Sequence, residues 1–206
     1  QTVDGIVMEG ETNHYISQNP YYLLPNIESG DVTSGLSSGS RYVLMALAQG
    51  IQKMDNIRDS LNIESILTTS DSAYSKTDLE NMQTMEKESG DIDGPFDLGV
   101  SITEDLGDDT ETKIVYFATS TIFDDTIDSY VSGANYELLF SALSWLCQTD
   151  EDSNTSAISI PSKSLDTSSL TISAADVSFW SIFVTAVIPV CILLAGFGIW
   201  MKRRKQ

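Results

Sequence analysis

Hydroxyl and carboxylate side chains follow an apolar run in Lys113–Thr126, which has the sequence KIVYFATSTIFDDT. The first half of this segment is β-branched or aromatic, a composition typical of a buried strand. In an open α/β sheet, ligands and catalytic groups usually lie in the loop that follows such a strand. We therefore predict a contact loop that contains Ser120, Asp124 and Asp125.

The same loop gives little support for catalysis. Adjacent residues in an extended segment point in opposite directions, so Asp124 and Asp125 do not form a close acid/base pair. The alternative is that the two aspartates are solvated and help to start the next turn, because a position in a fold does not by itself establish a function. We predict a contact surface without catalytic residues.

Other motifs of enzymatic chemistry are missing from the sequence. It contains one histidine, His14, and no Gly-x-Ser-x-Gly elbow, phosphate-binding loop or dinucleotide fingerprint. The segment Asp91–Asp97, DIDGPFD, resembles the start of a calcium loop but lacks the closing glutamate. Cys147 and Cys191 lie in separate apolar segments, so we expect neither a disulfide nor a cysteine zinc site. The sequence therefore predicts no metal and no cofactor.

The charge of the chain is strongly asymmetric. The 206 residues carry a net charge of −19, and four of the 11 basic residues are Lys202, Arg203, Arg204 and Lys205. Seven basic residues thus accompany all 30 acidic residues in the rest of the chain. Such a surface repels phosphate backbones, so we expect no nucleic-acid partner.

A long apolar segment precedes the basic residues. Phe179–Met201 contains no charged residue, and its length as a helix is sufficient to cross a bilayer. The alternative, a buried core helix, would need a second apolar element to cover it on every side. We predict a transmembrane helix at 177–201, in which Gly196 and Gly198 either allow close helix contact or face lipid.

The positions of the charges predict a topology. Because basic residues are retained on the cytoplasmic side, the tail 202–206 is expected in the cytoplasm and the acidic bulk outside the cell membrane. The first residues, QTVDGIVMEG, contain no apolar signal. We therefore expect that the chain is the C-terminal fragment of a longer precursor.

The remaining chain has the pattern of an α/β domain at 1–161, followed by a Ser/Thr-rich stalk at 162–176. Strands are predicted within Asp4–Tyr15, Asn62–Ser70, Pro95–Asp105 and Lys113–Thr119, the last two as an antiparallel pair. Arg41–Ile51 suits a buried strand or a short helix. Asn135–Cys147 is the clearest helix, with Asn135 as its N-cap and an apolar stripe of Leu139, Ala142, Leu143 and Leu146. A strand, a loop and a helix in succession predict a mainly parallel sheet.

Four segments together resemble a known family. They are GIVMEGETNHYISQNPYYLLPNI, RYVLMALAQGI, the strand–loop–helix KIVYFATSTIFDD…NYELLFSALSWL, and the apolar helix with its basic tail. In this order they resemble the C-terminal portion of gliding-motility-type auxiliary proteins of bacterial ABC transport systems. The resemblance implies a flavodoxin-like or glutamine-amidotransferase-like domain used as a scaffold rather than an enzyme. It also implies ABC permease and ATPase subunits as partners, beside the lipid bilayer, and an additional N-terminal half.

The chain departs from this family in the contact loop. The family often has a Gly-Asp-Ser-Asp-Phe-like run at the end of the strand, where this chain has Ala118, Thr119, Ser120 and Thr121, with Phe123 one residue later. Both aspartates are replaced by hydroxyl residues, which argues against a metal or phosphate site.

Three functions remain compatible with the sequence. The leading hypothesis is a membrane-anchored, non-enzymatic auxiliary subunit of an ABC transport system, whose acidic domain binds a substrate or partner subunits. The alternatives are a membrane-tethered hydrolase of envelope polymers, with its catalytic residues in an N-terminal region, and an adhesion or stalk protein.

Overall fold

The computed structural model describes residues 1–34, 36, 42–80, 84–107, 110–147 and 174–204. They form a mixed helix and sheet structure with a long apolar helix at its C-terminal end. The strands are β1 Ile6–Met8, β2 Tyr22–Leu23, β3 Asn26–Ile27, β4 Met45–Ala46, β5 Leu61–Thr68, β6 Tyr74–Lys76, β7 Ile92–Asp93, β8 Asp97–Gly107 and β9 Thr110–Phe117. The helices are a 3-10 helix Ser120–Phe123, α1 Asp125–Tyr130, α2 Ala134–Cys147, α3 Ala174–Ile182, a π-helical turn Phe183–Val187 and α4 Ile188–Arg204.

The main sheet has four strands in the order β3-β5-β8-β9. Its register places Ile63 opposite Ile102 and Ile102 opposite Ile114, so three isoleucines cross the sheet in one row. The predicted strands within Asn62–Ser70, Pro95–Asp105 and Lys113–Thr119 are confirmed, as is the antiparallel pairing of the last two. The strand predicted within Asp4–Tyr15 is β1, and part of Arg41–Ile51 is the buried strand β4.

The prediction of a mainly parallel sheet is wrong for the described strands. Every pairing between these nine strands is antiparallel, including those of the smaller sheets β1-β6-β7 and β2-β4. Only two residues separate β8 from β9, and a parallel pair needs a crossover connection of a dozen or more residues. A flavodoxin-like or glutamine-amidotransferase-like topology is therefore not confirmed.

Helix α2 packs against one face of the main sheet. Leu138, Ala142 and Trp145 belong to the largest hydrophobic cluster, with Val115 and Phe117 of β9 packed against it. The ammonium of Lys113 lies 5.3 Å from the centre of the Trp145 ring, a cation–π distance. This packing places the end of β9 and the start of α2 side by side.

The apolar stripe predicted for α2 is wrong for two of its four residues. Ala142 is buried and Leu139 is partly buried, but Leu143 is 55% exposed and Leu146 is 37% exposed. The helix has apolar residues on more than one side, so helical spacing alone fits several stripes. The stripe with the large side chains Leu138 and Trp145 faces the sheet.

Asn135 is not the N-cap of α2. The helix begins one residue earlier, and the Asn135 side chain is completely buried. Its amide oxygen accepts a hydrogen bond from the Leu44 backbone N–H at 2.9 Å, and its amide nitrogen donates to the Leu44 carbonyl at 2.9 Å. One side chain thus makes the two hydrogen bonds that a residue of a neighbouring strand would make.

The C-terminal helix spans Asp176–Arg204, and its 29 residues are long and apolar enough to cross a bilayer. The π-helical turn Phe183–Val187 lies just before Pro189. Proline removes a backbone N–H and collides with the carbonyl four residues earlier, and a wider helical turn relieves that collision. In the part of the chain described, the space around the Gly196 α-carbon is open.

Several predicted features are only partly described. Residues 162–173 of the predicted stalk and Lys205 lie outside the described residues, and 174–176 belong to α3. Lys202, Arg203 and Arg204 form the basic last turn of α4.

We predict that Asn135→Ala lowers the free energy of unfolding by about 2 kcal/mol, because it leaves two buried backbone groups of Leu44 without a partner. Chemical denaturation of the full chain in detergent measures this loss. Asn62→Ala is the matched control, since the Asn62 side chain bonds only the exposed Glu64 among the hydrogen bonds described. Equal stability of the two variants would contradict the structural role of Asn135.

Candidate functional site after strand β9

The predicted contact loop forms two short helical turns. Thr119 precedes the 3-10 helix, and its hydroxyl accepts a hydrogen bond from the Thr121 N–H at 3.2 Å. Ser120, the first residue of this helix, is exposed. Asp124 ends the 3-10 helix and is also the N-cap of α1. The loop is therefore ordered by its own side chains.

Asp124 bonds the backbone of α1. Its Oδ1 accepts hydrogen bonds from the N–H groups of Thr126 at 2.8 Å and of Ile127 at 3.2 Å. These backbone hydrogen bonds lower the pKa of Asp124, which keeps the capping carboxylate ionised. The predicted role in starting the next turn is confirmed for this residue.

Asp125 points toward a different element. Its carboxylate accepts a hydrogen bond from the hydroxyl of Tyr136 in α2. The same hydroxyl lies 3.2 Å from the Phe123 carbonyl. The hydrogen bond to Asp125 raises the pKa of Tyr136 to about 12, because deprotonation would place two negative charges together. Asp124 thus bonds the backbone of α1 and Asp125 bonds a side chain of α2, as expected for adjacent residues that point apart.

The two threonines of the loop hold strand β4. The hydroxyls of Thr119 and Thr121 each donate to the Ala46 carbonyl at 2.9 Å, while the Ala46 N–H donates to the Thr121 hydroxyl at 3.1 Å. A carboxylate only accepts hydrogen bonds, so an aspartate at either position could not donate to this carbonyl. The hydroxyl groups of Thr119 and Thr121 therefore have a structural role.

Asp128 is a buried carboxylate that sequence reasoning missed. Its Oδ1 accepts hydrogen bonds from the backbone N–H groups of Asn135 at 3.0 Å and Tyr136 at 3.2 Å, so it caps the start of α2. Burial raises the pKa of Asp128 despite these bonds. The capping residue lies six positions before the helix begins, a separation outside the usual N-cap pattern.

Glu9 is a second buried carboxylate without a sequence signal. It accepts hydrogen bonds from the Ser70 N–H at 3.0 Å and the Ser70 hydroxyl at 2.6 Å, and it is 2% exposed. Burial is the largest cause that raises its pKa. The ring of His14 bonds the Leu24 carbonyl through Nδ1 at 3.2 Å. Ser70 therefore donates to a carboxylate, an arrangement different from the serine–histidine bond of a hydrolase.

Lys76 accounts for Asp91, the first residue of the segment that resembled a calcium loop. Its side chain is fully buried, and its ammonium lies 2.6 Å from Glu88 and 3.4 Å from Asp91. The hydrogen bond to Glu88 is the largest cause that raises the pKa of Lys76. Burial opposes ionisation of Asp91, but N–H donors from Glu88 and Thr77 and the Lys76 charge lower its pKa overall. Asp91 thus balances a buried cation.

An open cleft of about 700 Å³ lies beside β5. Its polar groups include Glu28, Glu64 and Lys53. The Thr68 hydroxyl donates to Glu28 at 2.7 Å, and the Lys53 ammonium donates to the Ile63 carbonyl at 2.9 Å. No group of three or more metal-ligating side chains occurs in this cleft or elsewhere among the described residues.

Comparison with known proteins finds no matching family model, no matching curated protein and no matching solved structure. The geometry of the loop indicates that it supports β4 through hydroxyl hydrogen bonds and α1 and α2 through helix caps.

We predict that Thr121→Val lowers the free energy of unfolding by about 1 kcal/mol, because the Ala46 backbone loses a donor and an acceptor. Ser120→Ala, at the exposed neighbouring position, is the control and is expected to leave stability unchanged. Thermal unfolding of both variants measures the difference. If Ser120→Ala were the more destabilising change, the assignment of the loop hydroxyls would be wrong.

We also predict that Glu9 makes stability depend on pH. A carboxyl with a raised native pKa binds protons more tightly in the folded state, so its contribution is greatest below its ordinary value of 4.5 and is lost as pH rises through its native pKa. Unfolding measured from pH 4 upward should show this decline in the wild type, and Glu9→Gln should flatten it. Parallel profiles for the two proteins would contradict the prediction.

Proposed function

We propose that the protein is a membrane-anchored, non-enzymatic auxiliary subunit of an ABC transport system. The observation that carries the proposal is the long apolar helix Asp176–Arg204, which the described residues leave uncovered and which follows an acidic domain in the chain. A helix of this kind needs lipid or other membrane helices around it. The anchored domain then works as a binding module at the membrane surface.

The charge distribution supports an outward-facing domain. Lys202, Arg203, Arg204 and Lys205 would hold the C-terminus in the cytoplasm, and the acidic residues 1–161 would lie outside the cell membrane. The high negative charge favours cationic ligands or basic partner surfaces at that location.

The proposal of a non-enzymatic role is supported by how the loop side chains are used. Asp124 and Asp128 cap helices, and Thr119 and Thr121 bond the β4 backbone. Groups engaged in this way stabilise a scaffold, and reaction chemistry would have to displace them from these bonds. Ser120 remains exposed as a candidate contact residue.

The membrane helix is the part of the chain that we expect to contact the permease. Small residues allow close approach of helices within a bilayer, and Gly196 and Gly198 provide them in α4. Because they are two residues apart, they lie on nearly opposite sides of α4. We expect one of these two sides to contact the permease, and the permease to bring the ATPase into the complex. A flavodoxin-like topology is not part of this proposal, because the described strands are antiparallel.

Copurification tests the transport assignment. The full chain, carrying an affinity tag, is co-expressed with the ATPase and permease of the proposed transport system and is solubilised in mild detergent. We expect all three proteins to elute together, and Gly196→Leu with Gly198→Leu to reduce recovery of the permease. Val190→Leu in the same helix is the matched control. Recovery of an ATPase–permease complex that lacks this chain would refute the assignment.

Cysteine labelling in intact cells tests the topology separately. In a Cys147→Ser, Cys191→Ser background, Met54→Cys should react with a membrane-impermeant maleimide, because Met54 is 54% exposed on the acidic domain. Gln206→Cys should react only after lysis. The reverse pattern would show that the acidic domain faces the cytoplasm.

A further inference from the structure

The outer face of α2 carries a second apolar stripe. Tyr136, Phe140, Leu143 and Cys147 are spaced by four, three and four residues, which places them on one side of the helix. Phe140 is 62% exposed, Leu143 is exposed and the Cys147 thiol is free and exposed. These four residues are called the α2 outer stripe.

The α2 outer stripe lies opposite the side that packs on the sheet. Leu138, Ala142 and Trp145 are buried, and at 100° per residue they lie about half a turn from Phe140 and Leu143. A helix that is apolar on opposite sides is normally covered on both. The inner side of α2 is covered by β9 and the core, so the outer side has the character of an interface.

Phe123 extends the apolar surface beyond the start of α2. It is 62% exposed, and its carbonyl is 3.2 Å from the Tyr136 hydroxyl. Phe123 thus adds an exposed apolar side chain near the Tyr136 end of the stripe. Together these side chains present more apolar surface than the single exposed residues that are normal on a soluble domain.

The stripe has the alternating four and three residue spacing that is seen when side chains of one helix insert between those of another. Leu138, Ala142 and Trp145 have the same spacing and pack against the sheet, so spacing alone does not identify the partner. An amphipathic helix fits because its apolar face can cover the stripe while its polar borders meet the acidic residues beside it.

Charge selects the kind of helix. From Ile114 to Cys147 the sequence has four acidic residues and no lysine or arginine. Asp125 accepts a hydrogen bond from Tyr136 of the stripe, and Glu137 is the next residue of the helix. A second copy of this surface would bring like charges together, and an anionic lipid surface would be repelled as well. Basic residues at the borders of the partner helix would complement these acids.

We propose that the α2 outer stripe, together with Phe123, is a docking surface for an amphipathic helix of a partner protein that has basic residues along its borders. The inference uses the surface and charge of α2 and of the loop before it, and it does not depend on the assignment to a transport system. It gives the acidic domain a recognition site separate from the hydroxyl groups that hold β4.

The test uses a labelled synthetic helical peptide with leucine at the four–three seam and lysine at the borders. The full chain is held in nanodiscs of zwitterionic lipid, and fluorescence anisotropy is measured against empty nanodiscs. The paired change Phe140→Ser with Leu143→Ser should weaken binding about tenfold or more, since two apolar contacts are lost. Ile114→Ser with Tyr116→Ser, exposed on β9 and unchanged in net charge, is the matched control and should bind within about twofold of wild type.

A second peptide with glutamate in place of lysine tests the charge argument. It should bind about tenfold more weakly at low salt, and the difference should shrink as sodium chloride is raised. Equal binding to wild type and the α2 variant, or equal binding of both peptides, would overturn the proposal. So would a wild-type dimer that the α2 variant abolishes in sedimentation, because the occupant would then be a second copy. Circular dichroism melts of both variants verify that each is folded.

Discussion

The buried backbone of Leu44–Ala46 is the constraint on which this end of the structure depends. Strand β4 has only two residues and pairs with the equally short β2, so strand pairing alone cannot satisfy its polar groups. Buried backbone groups without partners are costly. Asn135 supplies both hydrogen bonds of Leu44, and Thr119 and Thr121 supply those of Ala46. Side chains of the segment from β9 to α2 thus make the hydrogen bonds that a neighbouring strand would otherwise make with β4.

The need to bond this backbone determines which side chains are used inside the domain and which remain exposed for a partner. The groups that first suggested a site after β9 are used inside the domain: the threonine hydroxyls bond β4, Asp124 caps α1 and Asp125 accepts a hydrogen bond from Tyr136. The surfaces left for partners are exposed Ser120, the apolar outer side of α2 and the acidic border around it. A domain built in this way is suited to hold a partner near the membrane, which is consistent with the proposed auxiliary function.

Local sequence pattern was sufficient to predict elements but not their arrangement. The β8–β9 hairpin follows from two β-branched runs joined by a short acidic turn, and α2 follows from helical spacing. The prediction of a parallel sheet was wrong, because the order of strands and helices along the chain does not determine which strands pair. The prediction of which side of α2 is buried was wrong, because Leu143 and Leu146 fit an apolar stripe as well as Leu138 and Trp145 do. The contact with β9 shows which of these two stripes faces the sheet.

The candidate site was predictable in part. Asp124 is a helix start that a local pattern indicates, whereas Asn135 bonds Leu44 across 91 residues and Glu9 bonds Ser70 across 61. Such contacts have no signature in one sequence, because burial and pairing are properties of the assembled fold. The same limit applies to Lys76 and Asp128, whose environments are created by distant or irregular segments.

Amide hydrogen exchange at Leu44 and Ala46 in the full chain tests the central claim most directly, because their N–H groups bond only side chains in the hydrogen bonds described. We predict that both amides are as strongly protected as those of the β8–β9 pair, and that Thr121→Val selectively lowers the protection of Ala46. Exchange of both amides in the wild type as rapid as in the exposed segment 52–58 would contradict the account. In that case the threonine hydroxyls and the Asn135 amide would be available to a ligand, and the loop after β9 would have to be considered a binding site.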